Sequence, residues 1–260
     1  GHNVIAITPW YSKLIDRKKH KLEKIYSDVK LQIDKENTVS VSYYRGQLMP
    51  GLSVYFVRCD KYFGRKKWPY VSDNEGARFY LFDVAALKLI SLLKFKADII
   101  HCHDWHTGLI PYLKKKRFNR SKTLANTATV FTIHNLTFQA GINWWEIPVK
   151  YRDKGKGSLP LFKDRKINYT NFAKRGILYA DIINTVSETY ADEIIKKNFG
   201  QDLHRILVNR KHKLFGVVNG IDYNNYNPQT DPGLKKRYSV DTIHRKIVNK
   251  RHLQKVFKLP

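Results

Sequence analysis

Short apolar runs alternate with longer amphipathic stretches along most of this chain. The runs Asn3–Thr8 (NVIAIT), Asp98–Cys102, Val130–Ile133, Asp181–Val186 (DIINTV) and Leu214–Val218 are compact and rich in β-branched residues, which predicts strands. Thr38–Arg45 and Leu52–Arg58 instead alternate apolar with polar residues, as half-buried antiparallel strands do. Between them lie helical patterns. Glu75–Lys94 carries Phe79, Phe82, Ala86, Leu89, Ile90 and Leu93 at a spacing near the helical repeat. Trp105–Arg117 ends in Lys114, Lys115, Lys116 and Arg117, where cations complement the helix dipole. Ile167–Tyr179 and the basic stretch Asp241–Phe257 are also helical in pattern, and Glu188–Asn198 has Ser187 as N-cap and Gly200 as terminator. Ile15–Val29 fits helix or loop equally, and Phe63–Asn74 is rich in turn residues.

Strands alternating with helices at this spacing predict an α/β fold built on a mostly parallel sheet with helices on both faces. On that reading Ile5, Ile7, Ile99, Ile100, Phe131, Ile133, Ile182 and Ile183 occupy central strands and are buried. After Gln139 the chain loosens: Asn143–Pro160 holds two prolines, two glycines and the pair Trp144 and Trp145. Long segments of that kind are functional or mobile.

The candidate chemistry sits where two of these strands end. ADIIHCHDWHTGL (Ala97–Leu109) runs from strand into helix with His103, Asp104 and His106 at the junction. ATVFTIHNLTFQ (Ala128–Gln139) repeats the arrangement with His134 and Asn135. Open parallel sheets bind ligands outside the carboxyl ends of their strands, so two adjacent junctions would face one crevice. His101, His103 and His106 fall within six residues and raise the question of a metal. No Cys pair or glutamate at ligand spacing supports a closed site, so we expect none. The polar groups, with Trp105 beside them, suit a hydroxyl-rich ligand instead. A plainer role for Asn135 is to cap the turn after its strand. No Gly-flanked nucleophile elbow, GxGxxG or Walker loop is present.

Composition changes this picture little, and charge changes it more. The formal net charge is +26, with basic runs at Arg17–Lys21, Arg65–Lys67, Lys114–Arg117, Arg210–Lys213 and Lys235–Arg237. Such a charge favours anionic partners. The runs are dispersed over loops and helix ends, however, with no nucleic-acid-binding signature, and Asn, Ile, Tyr and Lys are all abundant. That pattern favours compositional bias over a dedicated nucleic-acid surface. No apolar run approaches the roughly 20 residues that span a bilayer, and no signal segment opens the chain. Cys59 and Cys102 both fall on predicted strands, as reduced core residues of a cytosolic protein would.

HCHDWHTGL, FTIHNLTFQ, INYTNFAKRGILYADIINTVSETYADEI and VVNGIDYNNYNPQTD, with DNEGARFYLF before them, together resemble the N-terminal half of bacterial and plant starch and glycogen synthases. The resemblance runs from Gly1 to Pro260. It implies a Rossmann-like domain, one half of the two-domain GT-B architecture, over residues 1–218. Residues 219–260 would be the hinge and the start of the second domain. It implies a retaining transfer of glucose from ADP-glucose or UDP-glucose to an α-1,4-glucan, with no cofactor and no metal. By motif, His134 and Asp104 would be catalytic, and His103, His106, Asn135, Gln139 and Tyr70 would bind substrate. The family's Lys-x-Gly-Gly-Leu loop and its strand would precede Gly1, and the rest of the second domain would follow Pro260. Ala140 and Tyr226 depart from the usual Gly and Trp.

The expectation is therefore the acceptor-side half of a glucan synthase, inactive alone and cytoplasmic (or plastidial, if the source is a plant or alga). The alternatives are a related glycosyltransferase with another acceptor, or a non-catalytic module that binds glucan or nucleic acid.

Overall fold

The computed structural model of the chain describes residues 1–64 and 74–260. It divides into two compact units, Gly1–Val217 and Val218–Pro260. The first contains two four-stranded sheets. Strands β1 (Ile5–Pro9), β2 (Glu23–Gln32), β3 (Thr38–Met49) and β4 (Leu52–Arg58) lie in the order β1-β4-β3-β2. The β2–β3 and β3–β4 pairs are antiparallel and β1–β4 is parallel. Met49 pairs with Leu52, so Pro50 and Gly51 alone make the β3–β4 turn. Gly51 has φ +82°, as the third position of a Pro-Gly type II turn demands.

The second sheet is wholly parallel: β5 (Ile99–His103), β6 (Ala128–Ile133), β7 (Ile182–Thr185) and β8 (Leu214–Gly216), in chain order. The helices of this unit are α1 (Glu75–Leu92), α2 (Leu109–Lys116), α3 (Phe172–Tyr179), α4 (Glu188–Glu193) and α5 (His204–Asn209). The α/β class and the parallel sheet are as expected.

Three differences have physical causes. The continuous apolar runs are not covered on both faces. Ile100, Phe131, Ile133 and Ile183 are buried, but Ile99 is 58% exposed and Ile182 38%, and Ile5 and Ile7, on the edge strand β1, are half-buried. Side chains alternate along a strand, and the buried set belongs to the face packed by helices. Phe131 on that face fits against α3 because residue 176 is glycine. A Cβ there would come within 2.6 Å of the Phe131 ring. Second, the stripe on α1 is not a stripe. Residues 75–87 are buried on all sides, Arg78 and Asp83 included, as expected of a helix inside the core. Tyr43 and Tyr26 reach it from the first sheet, donating to the carbonyls of Ala85 and Leu92 at 3.0 and 3.1 Å. Third, the predicted helix Trp105–Arg117 opens with a separate 3-10 turn at Trp105–Thr107. The α2 helix begins where the buried Asp83 carboxylate accepts the Leu109 N–H at 3.0 Å.

The ambiguous Ile15–Val29 stretch contributes β2, and α5 carried no recognisable pattern. Ser187 caps α4 as predicted, accepting from the Tyr190 N–H. Cys59 and Cys102 are free and buried. The second unit holds α6 (Lys246–Phe257), whose buried Asn249 bridges the Lys236 N–H and C=O at 2.9 and 2.7 Å. Among the described residues no helix is long and apolar enough to cross a membrane.

Candidate functional site

Register decides what gathers at the strand ends. His101 pairs with Val130 and His103 with Thr132, and Thr132 pairs with Asn184. His101, His103, Thr132 and Asn184 therefore share the sheet face opposite Phe131. The Asp104 N–H donates to the Thr132 carbonyl at 2.9 Å, carrying the β5–β6 ladder one residue past the strand. There the backbone turns sharply: Asp104 has φ 54° and ψ −175°, a conformation a non-glycine residue holds at a cost of about 1–3 kcal/mol. The Thr107 hydroxyl secures this corner by donating to the His103 carbonyl at 2.9 Å and accepting its N–H at 2.6 Å.

The strained corner points a carboxylate across to the next junction. Asp104 Oδ1 accepts the His134 N–H at 2.8 Å and the Asn135 N–H at 3.4 Å. The loops after β5 and β6 thus form one edge. Burial raises the Asp104 carboxyl above its usual range, opposed by the His134 N–H and the neighbouring His134 ring. Beside this link, His103 Nδ1 lies 3.0 Å from His134 Nε2. Behind it, the His101 ring stacks on His103 with centroids 4.2 Å apart, and His101 Nε2 meets the Thr132 hydroxyl at 2.6 Å. Partial desolvation lowers both His101 and His103. For His103, helped by the nearby His101 and His134 rings, the result is about 4, so its ring is neutral at pH 7.

Of the expected site residues, His103, Asp104, His134 and Asn135 are joined by these contacts. His106 sits in another environment, its ring centroid 4.3 Å from Trp105 and 4.6 Å from Phe79. Burial and the Arg78 charge push it down to about 4. Gln139 is buried with its amide occupied: Nδ2 of Asn171 donates to its Oε1 at 2.6 Å, and its Nε2 donates to the carbonyls of Leu136 and Gln201. Its side chain holds the loop after β6 to α3 and faces no crevice. Asn135 does cap its own turn, accepting the Thr137 N–H at 3.0 Å. Tyr70 lies outside the described residues. Among the described residues no three His, Cys, Asp or Glu side chains converge as a metal site. The His103 and His134 nitrogens face each other instead of a common ion. Thr132 and Asn184 were not singled out, although a polar Asn inside the apolar run DIINTV was a usable signal.

A parallel α/β domain with polar groups beyond the carboxyl ends of neighbouring strands is a ligand-binding domain of the doubly wound class. Residues 1–209 match the family model described as starch synthase catalytic domain, and the chain belongs to that glycosyltransferase family. Glycogen synthase of Desulforamulus reducens is 39% identical over 210 residues, which cover 81% of this chain and 43% of that protein. Glycogen synthase of Streptococcus sanguinis is 36% identical over 270 residues, covering 100% of this chain and 54% of that protein. The catalytic domain of starch synthase IV from Arabidopsis thaliana, solved with ADP and acarbose, superposes with a TM-score of 0.75. It is 29% identical, and the match covers 98% of this chain and 52% of that one. The chain spans about half the length of the curated relatives it matches.

Proposed function

We propose that this chain is the sugar-holding, acceptor-side half of a retaining α-1,4-glucan glucosyltransferase that uses ADP-glucose or UDP-glucose. The observation that carries the reading is the Asp104 carboxylate gripping the His134 and Asn135 N–H groups, because it makes two strand ends into one preorganised edge. On that edge the His134 backbone carbonyl would face the reacting anomeric carbon and oppose its developing positive charge. The Asn135 amide would hold glucose hydroxyls. Rate enhancement would come from positioning and electrostatics, which act best in a water-excluded cleft.

The same reading divides the chain into a sugar-binding domain up to residue 218 and a following segment that leads into a second GT-B domain. Groups that neutralise a departing diphosphate belong to that second domain. The first domain alone would leave its edge open to solvent, where each polar contact is weakened. We therefore expect Gly1–Pro260 to bind oligosaccharide weakly and to transfer no glucose. The test is incorporation of radiolabel from ADP-glucose into glycogen, with a His134→Ala control. Incorporation well above that control overturns the reading.

The net charge of +26 favours one rival, binding of a polyanion. Salt separates the two. Nucleic-acid affinity falls steeply between about 50 and 200 mM salt, whereas maltoheptaose affinity should hardly change.

A further inference from the structure

We infer that His103 is a positioning residue for His134: its imidazole, joined Nδ1 to Nε2 at 3.0 Å, holds the His134 ring in one rotamer and one tautomer. His134 stands on an exposed turn, where an imidazole would otherwise rotate freely. Its backbone is fixed by Asp104. Its ring has a separate anchor in His103. The anchor is itself restrained. Thr107 binds the His103 N–H and C=O, the His101 ring stacks on it at 4.2 Å, and the His134 ring lies 5.3 Å away at a 31° tilt. One layer further back, the Thr132 hydroxyl donates to Asn184 Oδ1 at 2.6 Å. A hydroxyl has one hydrogen, so Thr132 must accept from His101 Nε2, which fixes the His101 tautomer as well. His134 on its turn and His103, His101, Thr132 and Asn184 on the sheet face thus form a polar ladder of three imidazoles, a hydroxyl and an amide.

A nitrogen-to-nitrogen hydrogen bond needs a proton on one ring nitrogen and a lone pair on the other. If His103 donates, His134 carries its hydrogen on Nδ1. If His134 donates, it carries it on Nε2. The two rings can therefore change tautomer only together, and one such pair prevails. With ring and backbone both held, the His134 carbonyl keeps one direction. That consequence for catalysis rests on the function proposed above, but the positioning does not.

Long-range nitrogen–proton spectra of the chain with nitrogen-15-labelled histidine at pH 7.5 read the tautomer directly. The parent chain should give His134 one protonated and one unprotonated nitrogen, with a nitrogen–nitrogen coupling across the bond to His103. His103→Phe keeps a ring on His101 but removes the nitrogen, and the His134 signals should move to averaged values. His103→Asn places an amide atom where Nδ1 stood and should restore the single-tautomer pattern. Averaged His134 signals in the parent chain, or unchanged ones in a folded Phe variant, overturn the inference. The coupling in the parent chain decides the matter if that variant does not fold. Maltoheptaose titration of the same samples separates the two claims. A single tautomer without glucan binding overturns the functional reading alone, and glucan binding with averaged tautomers overturns the positioning alone.

Discussion

On one face of the β5–β8 sheet stand Ile100, Cys102, Phe131, Ile133 and Ile183. On the other, one residue out of step, stand His101, His103, Thr132 and Asn184. The strands and their backbone hydrogen bonds are the same for both sets. What differs is the cover: the first set is buried, with Phe131 packed on α3, whereas on the second His101 and His103 are exposed, Asn184 is half-buried and Thr132 is buried. The first face therefore works through area removed from water, about 1.5–3 kcal/mol for each fully buried large side chain. The second works through directional bonds, each worth about 0.5–1.5 kcal/mol net. The lesson is that period-two alternation lets one short strand serve stability and chemistry at adjacent positions.

That contrast breaks first, and by the largest margin, at Phe131. Its ring is 1% exposed and fills the space over Gly176, so Phe131→Ala should cost about 3–5 kcal/mol in denaturant unfolding. Ile99→Ala, on the same sheet but the other face and itself exposed, should change stability by less than about 0.5 kcal/mol. Equal losses at the two positions would show that Ile99 is covered in solution.

Next in size is the carboxylate that joins the two strand ends. Asp104→Ala removes the acceptor of two N–H groups and should cost about 1–3 kcal/mol. Asp104→Asn keeps an oxygen in place and should lose much less. If both variants lose the same amount, it is the charge and not the geometry that links the junctions.

His106 adds a pH dependence between the two faces. Its folded pKa of about 4 lies below the ordinary 6.5, so between those values the unfolded chain takes up a proton that the folded chain refuses. The contribution is full above about pH 6.5 and is lost as the pH falls toward 4, by up to about 3 kcal/mol. His106→Phe should flatten the thermal-stability profile over that window. A modest effect belongs to Thr132→Val, which keeps shape but unlinks His101 from Asn184. It should cost about 1 kcal/mol and broaden the His101 ring signals in NMR spectra.

The sequence made β5, β6 and β7 legible because apolar β-branched runs are a local signal, and the Ser187 cap because capping depends on nearby atoms. The exposure of Ile99 and Ile182 was not legible, since a run of isoleucines does not say which face the helices cover. Nor was the full burial of α1. The apolar stripe gives no sign that Arg78 and Asp83 are buried as well, which depends on tertiary partners such as the Leu109 N–H at Asp83. At the site, His103, Asp104, His134 and Asn135 stood out as polar groups at strand ends. Gln139 was expected to bind substrate by motif alone, yet its amide is occupied within the protein, a distinction only three-dimensional contacts reveal. Thr132 escaped notice because a β-branched hydroxyl residue looks like any strand former.

Amide chemical-shift mapping of Gly1–Pro260 with maltoheptaose tests the central claim most directly. The account predicts that the largest perturbations fall on Asp104, His134 and Asn135, and that Asp104→Ala abolishes them with the rest of the spectrum intact. Saturable perturbations confined to residues away from these two strand ends would contradict it.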